Sequence, residues 1–132
     1  MPHETKTDFL VVGSGIAGLS FALKACETGS VALITKKGSL ESNTNYAQGG
    51  IAAVLSPDDS FELHAEDTLT AGAGLCRRDV VDLAISEGPR MIRELIDWGT
   101  QFTREAGADG ERLALGREGG HTRHRIAYSA DL

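Results

Sequence analysis

An α/β fold that opens on a β-α-β unit is what this 132-residue sequence predicts. Three observations carry that expectation: two short, wholly apolar runs, a helix-periodic segment between them, and a glycine-rich turn where the first run meets that segment. Phe9-Leu10-Val11-Val12 is the first run, continuous rather than alternating, as in a strand buried on both faces. Ile16 to Thr28 places Ile16, Leu19, Leu23 and Cys26 at helical spacing and stops at Gly29. Val31-Ala32-Leu33-Ile34 is the second strand. Parallel strands joined in this way cross over right-handed, in a unit of about thirty residues.

The remaining elements follow in order. Residues 36–50 are polar and irregular, and an ordered loop of that length is usually functional. A short apolar stretch, Ile51 to Leu55, precedes a helix that Asp59 is expected to cap, with Glu62 as its capping-box partner and Phe61, Ala65, Thr68 and Leu69 on one face. Asp79 is expected to start a further helix, with Val80, Val81, Ala84 and Ile85 inward, broken at Gly88-Pro89. Pro89 then suits the first turn of another helix, carrying Ile92, Leu95 and Ile96 and ending at Gly99. Gln101 to Leu115 reads as a hairpin turning near Asp109-Gly110. Residues 116–125 read as loop, and Ile126 to Leu132 as the start of a helical pattern.

Composition narrows the function classes. A net charge of −6 and a pI near 5.1 oppose a nucleic-acid footprint, which needs clustered Lys and Arg. The one basic cluster, Arg117 to Arg125, suits a small anion better. Cys26 and Cys76 show no metal-ligand spacing and read as two buried thiols in a reducing cytoplasm. No apolar run approaches the ~20 residues of a membrane span, and no signal peptide is visible at the start. Glycine stands out at 16 of 132 residues, concentrated in short motifs where backbone must turn sharply or approach a ligand.

The first such motif is Gly13-Ser14-Gly15-Ile16-Ala17-Gly18, a G-x-G-x-x-G turn leaving a strand and opening a helix. Gly13 permits the turn, Gly15 lets a pyrophosphate reach the backbone, and Gly18 lets helix and strand pack closely. Amides at the helix start then favour a diphosphate. The carboxylate that should follow the second strand to hold a ribose is missing, and Thr35-Lys36-Lys37 stands there instead. The nearest acids are Glu27, in the helix, and Glu41, in the loop. An ordinary NAD-binding domain is therefore disfavoured, and Thr35 or Lys36 is expected near the ribose or phosphate. Lys36 also suits a plain solvated charge at a strand end.

Ser42-Asn43-Thr44-Asn45-Tyr46-Ala47-Gln48-Gly49-Gly50 resembles a signature of the succinate dehydrogenase, fumarate reductase and L-aspartate oxidase flavoproteins. The resemblance implies a Rossmann-like FAD-binding domain, incomplete in this chain, in which this loop runs along the FAD towards the isoalloxazine. Tyr46 and Gln48 equally suit turn-filling roles. Membrane-complex members place a covalently attached histidine where Asn43 stands, and an amide cannot form that link, so non-covalent FAD is implied. Glu66-Asp67-Thr68 and Ala71-Gly72-Ala73-Gly74-Leu75-Cys76 are similar to the aspartate oxidase version of the next region.

The third matching stretch is Arg117-Glu118-Gly119-Gly120-His121-Thr122-Arg123. Fumarate-type relatives typically carry an apolar aromatic where Glu118 stands, and aspartate oxidases a glutamate. The chemistry follows, since L-aspartate has an ammonium that succinate lacks. At about 4 Å and an effective dielectric near 20, such a pair gains on the order of 4 kcal/mol before desolvation. Glu118 and His121 are thus the candidate substrate-binding residues, although an Arg–Glu mixture in a polar loop is also ordinary solvated surface. Arg117, His121, Arg123, His124 and Arg125 make the neighbourhood basic, as a dianion needs.

The resemblance implies oxidation of L-aspartate to iminoaspartate, with oxygen or fumarate as acceptor and coupling to quinolinate synthase in NAD synthesis. No catalytic residue and no metal ligand is expected within this chain. The expected organisation is an amino-terminal segment of the FAD-binding domain with no complete second domain. It comprises a β-α-β unit over residues 1–37, flavin loop and short strand over 38–58, helices over 59–100, and hairpin with substrate-side loop over 101–132. The chain reads as a fragment without full activity. A fumarate reductase or succinate dehydrogenase flavoprotein, an NAD-dependent dehydrogenase and a non-catalytic nucleotide-binding module are the competing readings.

Overall fold

The computed structural model describes residues 4–47, 49–107 and 110–129. The chain forms two compact units, Met1–Gln48 and Gly49–Leu132.

In the first unit β1 (Phe9–Val12) and β2 (Val31–Ile34) pair in parallel, Phe9 opposite Val31 and Val12 opposite Ile34, with α1 (Ile16–Ala25) between them in sequence. Helix and strand approach most closely at Gly18, where a Cβ would lie 2.1 Å from the Gly13 carbonyl oxygen. No side chain fits there, as the glycine turn requires. Phe9 meets α1 through an edge-to-face contact with Phe21, ring centroids 6.2 Å apart. Asp8 ties the two strand starts together, its Oδ2 accepting from Ser30 N at 2.8 Å and Ser30 Oγ at 2.7 Å. Those bonds hold the Asp8 carboxyl below its usual range.

Two expectations change in this unit. β1 is not buried on both faces: Val11 is buried against α1, whereas Leu10 and Val12, on the opposite face, are exposed. Within this unit a single helix covers a single face. Cys26 is likewise exposed rather than buried, because α1 ends at Ala25 and the chain turns away, Gly29 N donating to Ala25 O at 3.1 Å.

The second unit is built around a three-stranded antiparallel sheet in the order β3 (Gly50–Ala52), β7 (Ile126–Tyr128), β6 (Leu115–Gly116). Gly50 pairs with Tyr128, and Gly116 with Ile126. The expected helix from Ile126 is therefore a strand. β-Branched and aromatic side chains at Ile126 and Tyr128 suit a pleated surface, and Ile126 and Ala127 are buried in the sheet's centre. Residues 130–132 lie outside the described residues.

The hairpin forms from β4 (Arg104–Gly107) and β5 (Gly110–Leu113), Gly107 facing Gly110, but it is shorter than the expected Gln101 to Leu115, because Leu115 pairs instead with β7. Asp109, at its expected turn, lies outside the described residues.

Helices α2 (Phe61–Ala71) and α3 (Arg78–Asp97) pack on each other. The cap of α2 is Ser60, whose Oγ accepts from Leu63 N at 3.2 Å, and not Asp59, whose carboxylate is engaged elsewhere. Phe61 is 44% exposed, and the buried face of α2 is His64, Ala65 and Asp67. α3 is one helix of 20 residues and not two, running straight through Pro89. Proline there forfeits the amide that would reach Ile85 O, but Val81, Ile85, Pro89 and Ile92 form one buried stripe along the rod. That continuous apolar contact outweighs the break. Val80 and Ala84, expected inward, are exposed.

Two apolar clusters result. One gathers Ala53, Ile92 and Ala127 with Leu55, Ile96, Phe102, Leu113 and Leu115; the other gathers Ala65, Val81 and Ile85 with Val54, Leu69 and Cys76.

Candidate functional site

The glycine turn and the polar loop meet in one cleft of the first unit, beyond the carboxyl ends of β1 and β2. Gly13, Ser14, Gly15, Thr35, Lys36, Asn43, Thr44 and Tyr46 all line it, together with Lys37, Glu41 and Ser42. Thr44 draws the loop onto the turn, its Oγ1 accepting from Ile16 N at 3.1 Å. Gly13 takes φ +107, a left-handed conformation that glycine tolerates best. The first turn of α1 carries no acidic side chain, and no side chain of its N-cap, Gly15, closes it. The positive end of the helix, with Lys36 and Lys37 beside it, therefore suits a diphosphate.

Of the other expected cofactor residues, Ile16, Ala17 and Gly18 lie in α1 and do not line the cleft, the Ile16 amide being taken by Thr44 Oγ1. Asn45 and Ala47 belong to the same loop without lining the cleft. Gly49 and Gly50 belong to the second unit, and Gln48 lies outside the described residues. At the end of β2, Thr35 Oγ1 donates to Lys37 O, and Lys37 Nζ pairs with Glu41 Oε1 at 2.5 Å. Glu41 thus brings a carboxylate into the cleft from loop rather than from the strand end.

In the second unit the loop over residues 116–125 is closed at its base and pinned at its tip. Arg125 N donates to Gly116 O at 3.0 Å across the base, and His121 N donates to Glu118 O at 3.2 Å across the tip. The Glu118 side chain turns onto Gly49: a Cβ at that position would lie 2.8 Å from Glu118 Oε1. Gly49 also has φ +96, the left-handed conformation that favours glycine, whereas the exposed Glu118 carboxylate could swing aside from a Cβ.

Beneath the loop lies a polar cluster that sequence reasoning missed. Arg125, expected in the open basic neighbourhood, is wholly buried. Its Nε and Nη2 grip Asp59 Oδ2 and Oδ1 at 2.8 and 2.7 Å, and its Nη1 donates to Asp67 Oδ2 at 2.7 Å. Asp67 Oδ2 also accepts from Thr122 N at 2.8 Å and Thr122 Oγ1 at 2.9 Å. Burial alone would raise the Asp67 carboxyl; the Thr122 and Arg125 hydrogen bonds outweigh it and hold the group below its usual range.

His121 Nδ1 lies 3.4 Å from Arg125 Nη1, and the His121 ring is 5.7 Å from that of His64. A guanidinium only donates, so Nδ1 is the acceptor in this contact and Nε2 is left for other partners. His64 is buried and its Nδ1 has no hydrogen-bond partner. Burial, then the neighbouring Arg125 and His121, push its pKa below the usual histidine value. Arg117, Thr122, Arg123 and His124 line a separate open cleft with Ser56, Asp58 and Asp59.

A parallel β-α-β unit whose glycine turn, acid-free helix start and lysine-bearing strand end share one cleft defines a dinucleotide-binding protein. The family profile described as "FAD binding domain" matches residues 8–132. The chain belongs to this family of succinate dehydrogenase and fumarate reductase flavoproteins, and its cofactor is FAD.

Among curated relatives, the chloroplastic L-aspartate oxidase of Oryza sativa subsp. japonica is 54% identical over 125 residues, 95% of this chain and 19% of the relative. The L-aspartate oxidase of Vibrio cholerae is 45% identical over 131 residues, 98% of this chain and 24% of the relative. The chain therefore spans about a fifth to a quarter of these proteins. A solved E. coli quinol fumarate reductase superposes with a TM-score of 0.85 at 36% identity, covering 96% of this chain and 22% of its own. Among the described residues, no helix is long and apolar enough to cross a membrane.

Proposed function

We propose that this chain is the flavin-binding part of an enzyme that oxidises L-aspartate to iminoaspartate. The observation that carries the reading is Glu118, a carboxylate set on Gly49 at the end of the flavin loop, where fumarate-type relatives typically place an apolar aromatic. Aspartate differs from succinate by one ammonium, and a fixed carboxylate is the simplest group to recognise it. When bound, FAD supplies the two-electron acceptor for hydride leaving the α-carbon, and oxygen or fumarate returns it to the oxidised state.

The chain's own residues hold and orient. Gly13 to Gly18, Thr35 and Lys36 take the diphosphate and ribose end, and Asn43 to Gly50 follow the flavin. Asn43 leaves the FAD non-covalent. Glu118 binds the substrate ammonium, and His121 presents its Nε2–H to a substrate carboxylate. The imine passes to quinolinate synthase for NAD synthesis, in a cytoplasmic setting; the rice relative's name specifies the chloroplast as the alternative compartment.

The fumarate reductase likeness supports a second reading, a flavoprotein acting on succinate and fumarate alone. Purified FAD-loaded enzyme distinguishes them. Peroxide formation that depends on L-aspartate and not on succinate supports the first reading. Succinate oxidation without aspartate oxidation would replace it with the second.

A further inference from the structure

We propose that Asp67 is a positioning residue for substrate recognition: through Thr122 and Arg125 it fixes the 116–125 loop so that Glu118 stays on Gly49. The inference rests on the aspartate-oxidising reading and deepens it by assigning the support of its specificity residue.

The loop is ten residues long and contains Gly119 and Gly120 immediately after Glu118. Two adjacent glycines give the backbone more freedom than any other pair, so a carboxylate beside them is not fixed by its own chain. The base of the loop is held by the Arg125–Gly116 hydrogen bond, but Glu118 lies at the far end. What reaches the far end is Asp67. One of its oxygens accepts from both the amide and the hydroxyl of Thr122, directly after the turn that His121 N closes onto Glu118 O. The same oxygen takes Arg125 Nη1, and Arg125 is itself locked by Asp59. Loop tip, loop base and helix α2 are thereby joined through a single carboxylate oxygen.

This support is charged, buried and directional, while the glutamate it serves is exposed. Specificity sites need their contacting group held to within a fraction of an ångström, and the holding groups do so without touching the ligand. Asp67 makes no contact with substrate in this scheme and supplies no proton.

The test uses the FAD-loaded full-length enzyme carrying Thr122→Val or Thr122→Ser. Thr122 is exposed and its amide bond to Asp67 survives both changes, so the fold is retained. Valine removes the hydroxyl donor and serine keeps it. With Thr122→Val, KM for L-aspartate should rise about tenfold, with kcat, FAD content and fumarate reduction within about twofold of the parent enzyme. Thr122→Ser should restore the parent KM. In a Glu118→Gln background, Thr122→Val should add nothing further, because the group being positioned has lost its charge.

An unchanged aspartate KM, or a parallel fall in aspartate oxidation and fumarate reduction, would overturn the positioning role. A parent enzyme that does not oxidise aspartate at all would instead overturn the reading beneath it.

Discussion

Arg125 and Asp59 form a two-pronged ion pair in which neither side chain has any solvent exposure, with N···O distances of 2.8 and 2.7 Å. Two charges removed from water this completely are tolerable only while each keeps its partner. The pair joins the residue before α2's cap to the residue before β7, so it closes the second unit as a covalent staple would, by charge instead of by sulfur.

Asp59→Ala should accordingly lower stability by about 3–5 kcal/mol, because it leaves a buried guanidinium with only Asp67 to face. Urea denaturation of the parent and variant measures the difference. Asp59→Asn, which keeps the shape and one acceptor oxygen for Arg125, should lose less than Asp59→Ala, whereas removing Arg125 would leave Asp67 buried with Thr122 alone. A variant as stable as the parent would mean that water reaches Arg125.

Glu118→Gln keeps the shape of the side chain and removes its charge. Aspartate oxidation should fall by at least about tenfold in kcat/KM, each power of ten being ~1.4 kcal/mol. Fumarate carries no ammonium, and its reduction should continue at a nearly unchanged rate. Steady-state kinetics with the two substrates reads both. Equal loss of the two activities would assign the effect to fold or flavin.

Asn43 cannot bond covalently to the flavin, so acid precipitation should release all the FAD into the supernatant. Absorbance of the washed pellet near the flavin bands is the measurement, and colour remaining there would refute the non-covalent assignment.

His64 gives stability a pH dependence of known sign. Its folded-state pKa is lowered, by burial first and then by Arg125 and His121. The unfolded chain therefore takes up the proton at a higher pH, and stability falls as pH drops below about 6.5, by at most ~1.4 kcal/mol per pH unit. Asp59 and Asp67 act in the opposite direction on the same ring, without reversing the net shift. Asp67, whose own pKa is lowered, contributes stability that is lost only as pH falls below about 3.8. Thermal melts between pH 5 and 7.5 should thus show a slope that His64→Leu reduces. An equal slope in the two proteins would put the titration elsewhere.

The parts of this molecule legible in the sequence are those governed by local rules. The strand–turn–helix at Val12–Gly13–Ile16 and the hairpin around Gly110 each depend on residues that are neighbours in the chain. Pro89 shows where local rules give way. Read alone it breaks a helix, yet four buried side chains on one stripe hold α3 together through it. Ile126 to Tyr128 shows the same in reverse, since only a sheet with strands waiting on both sides makes it a strand.

Arg125 was the least legible of all. Nothing in a run of basic residues marks the one that turns inward, because its partners lie 66 and 58 positions away. A faint signal existed in α2, where His64 and Asp67 share a face with buried Ala65; polar groups on an inward helix face ask for a partner.

The middle strand of the three-stranded sheet is the last to be made. A ribosome synthesising this chain produces β3, both helices, the hairpin and β6 before β7 appears, and until then β3 and β6 have no neighbour in common. Asp59 and Asp67 must also stay hydrated during that interval, since Arg125 emerges immediately ahead of β7. Sheet closure and charge neutralisation thus await the same few residues, and a nascent chain halted shortly before position 125 would lack both. During translation the pairing of β3 and β6 through β7 and the neutralisation of Asp59 and Asp67 therefore become possible together, only once residues 125–128 have cleared the exit tunnel.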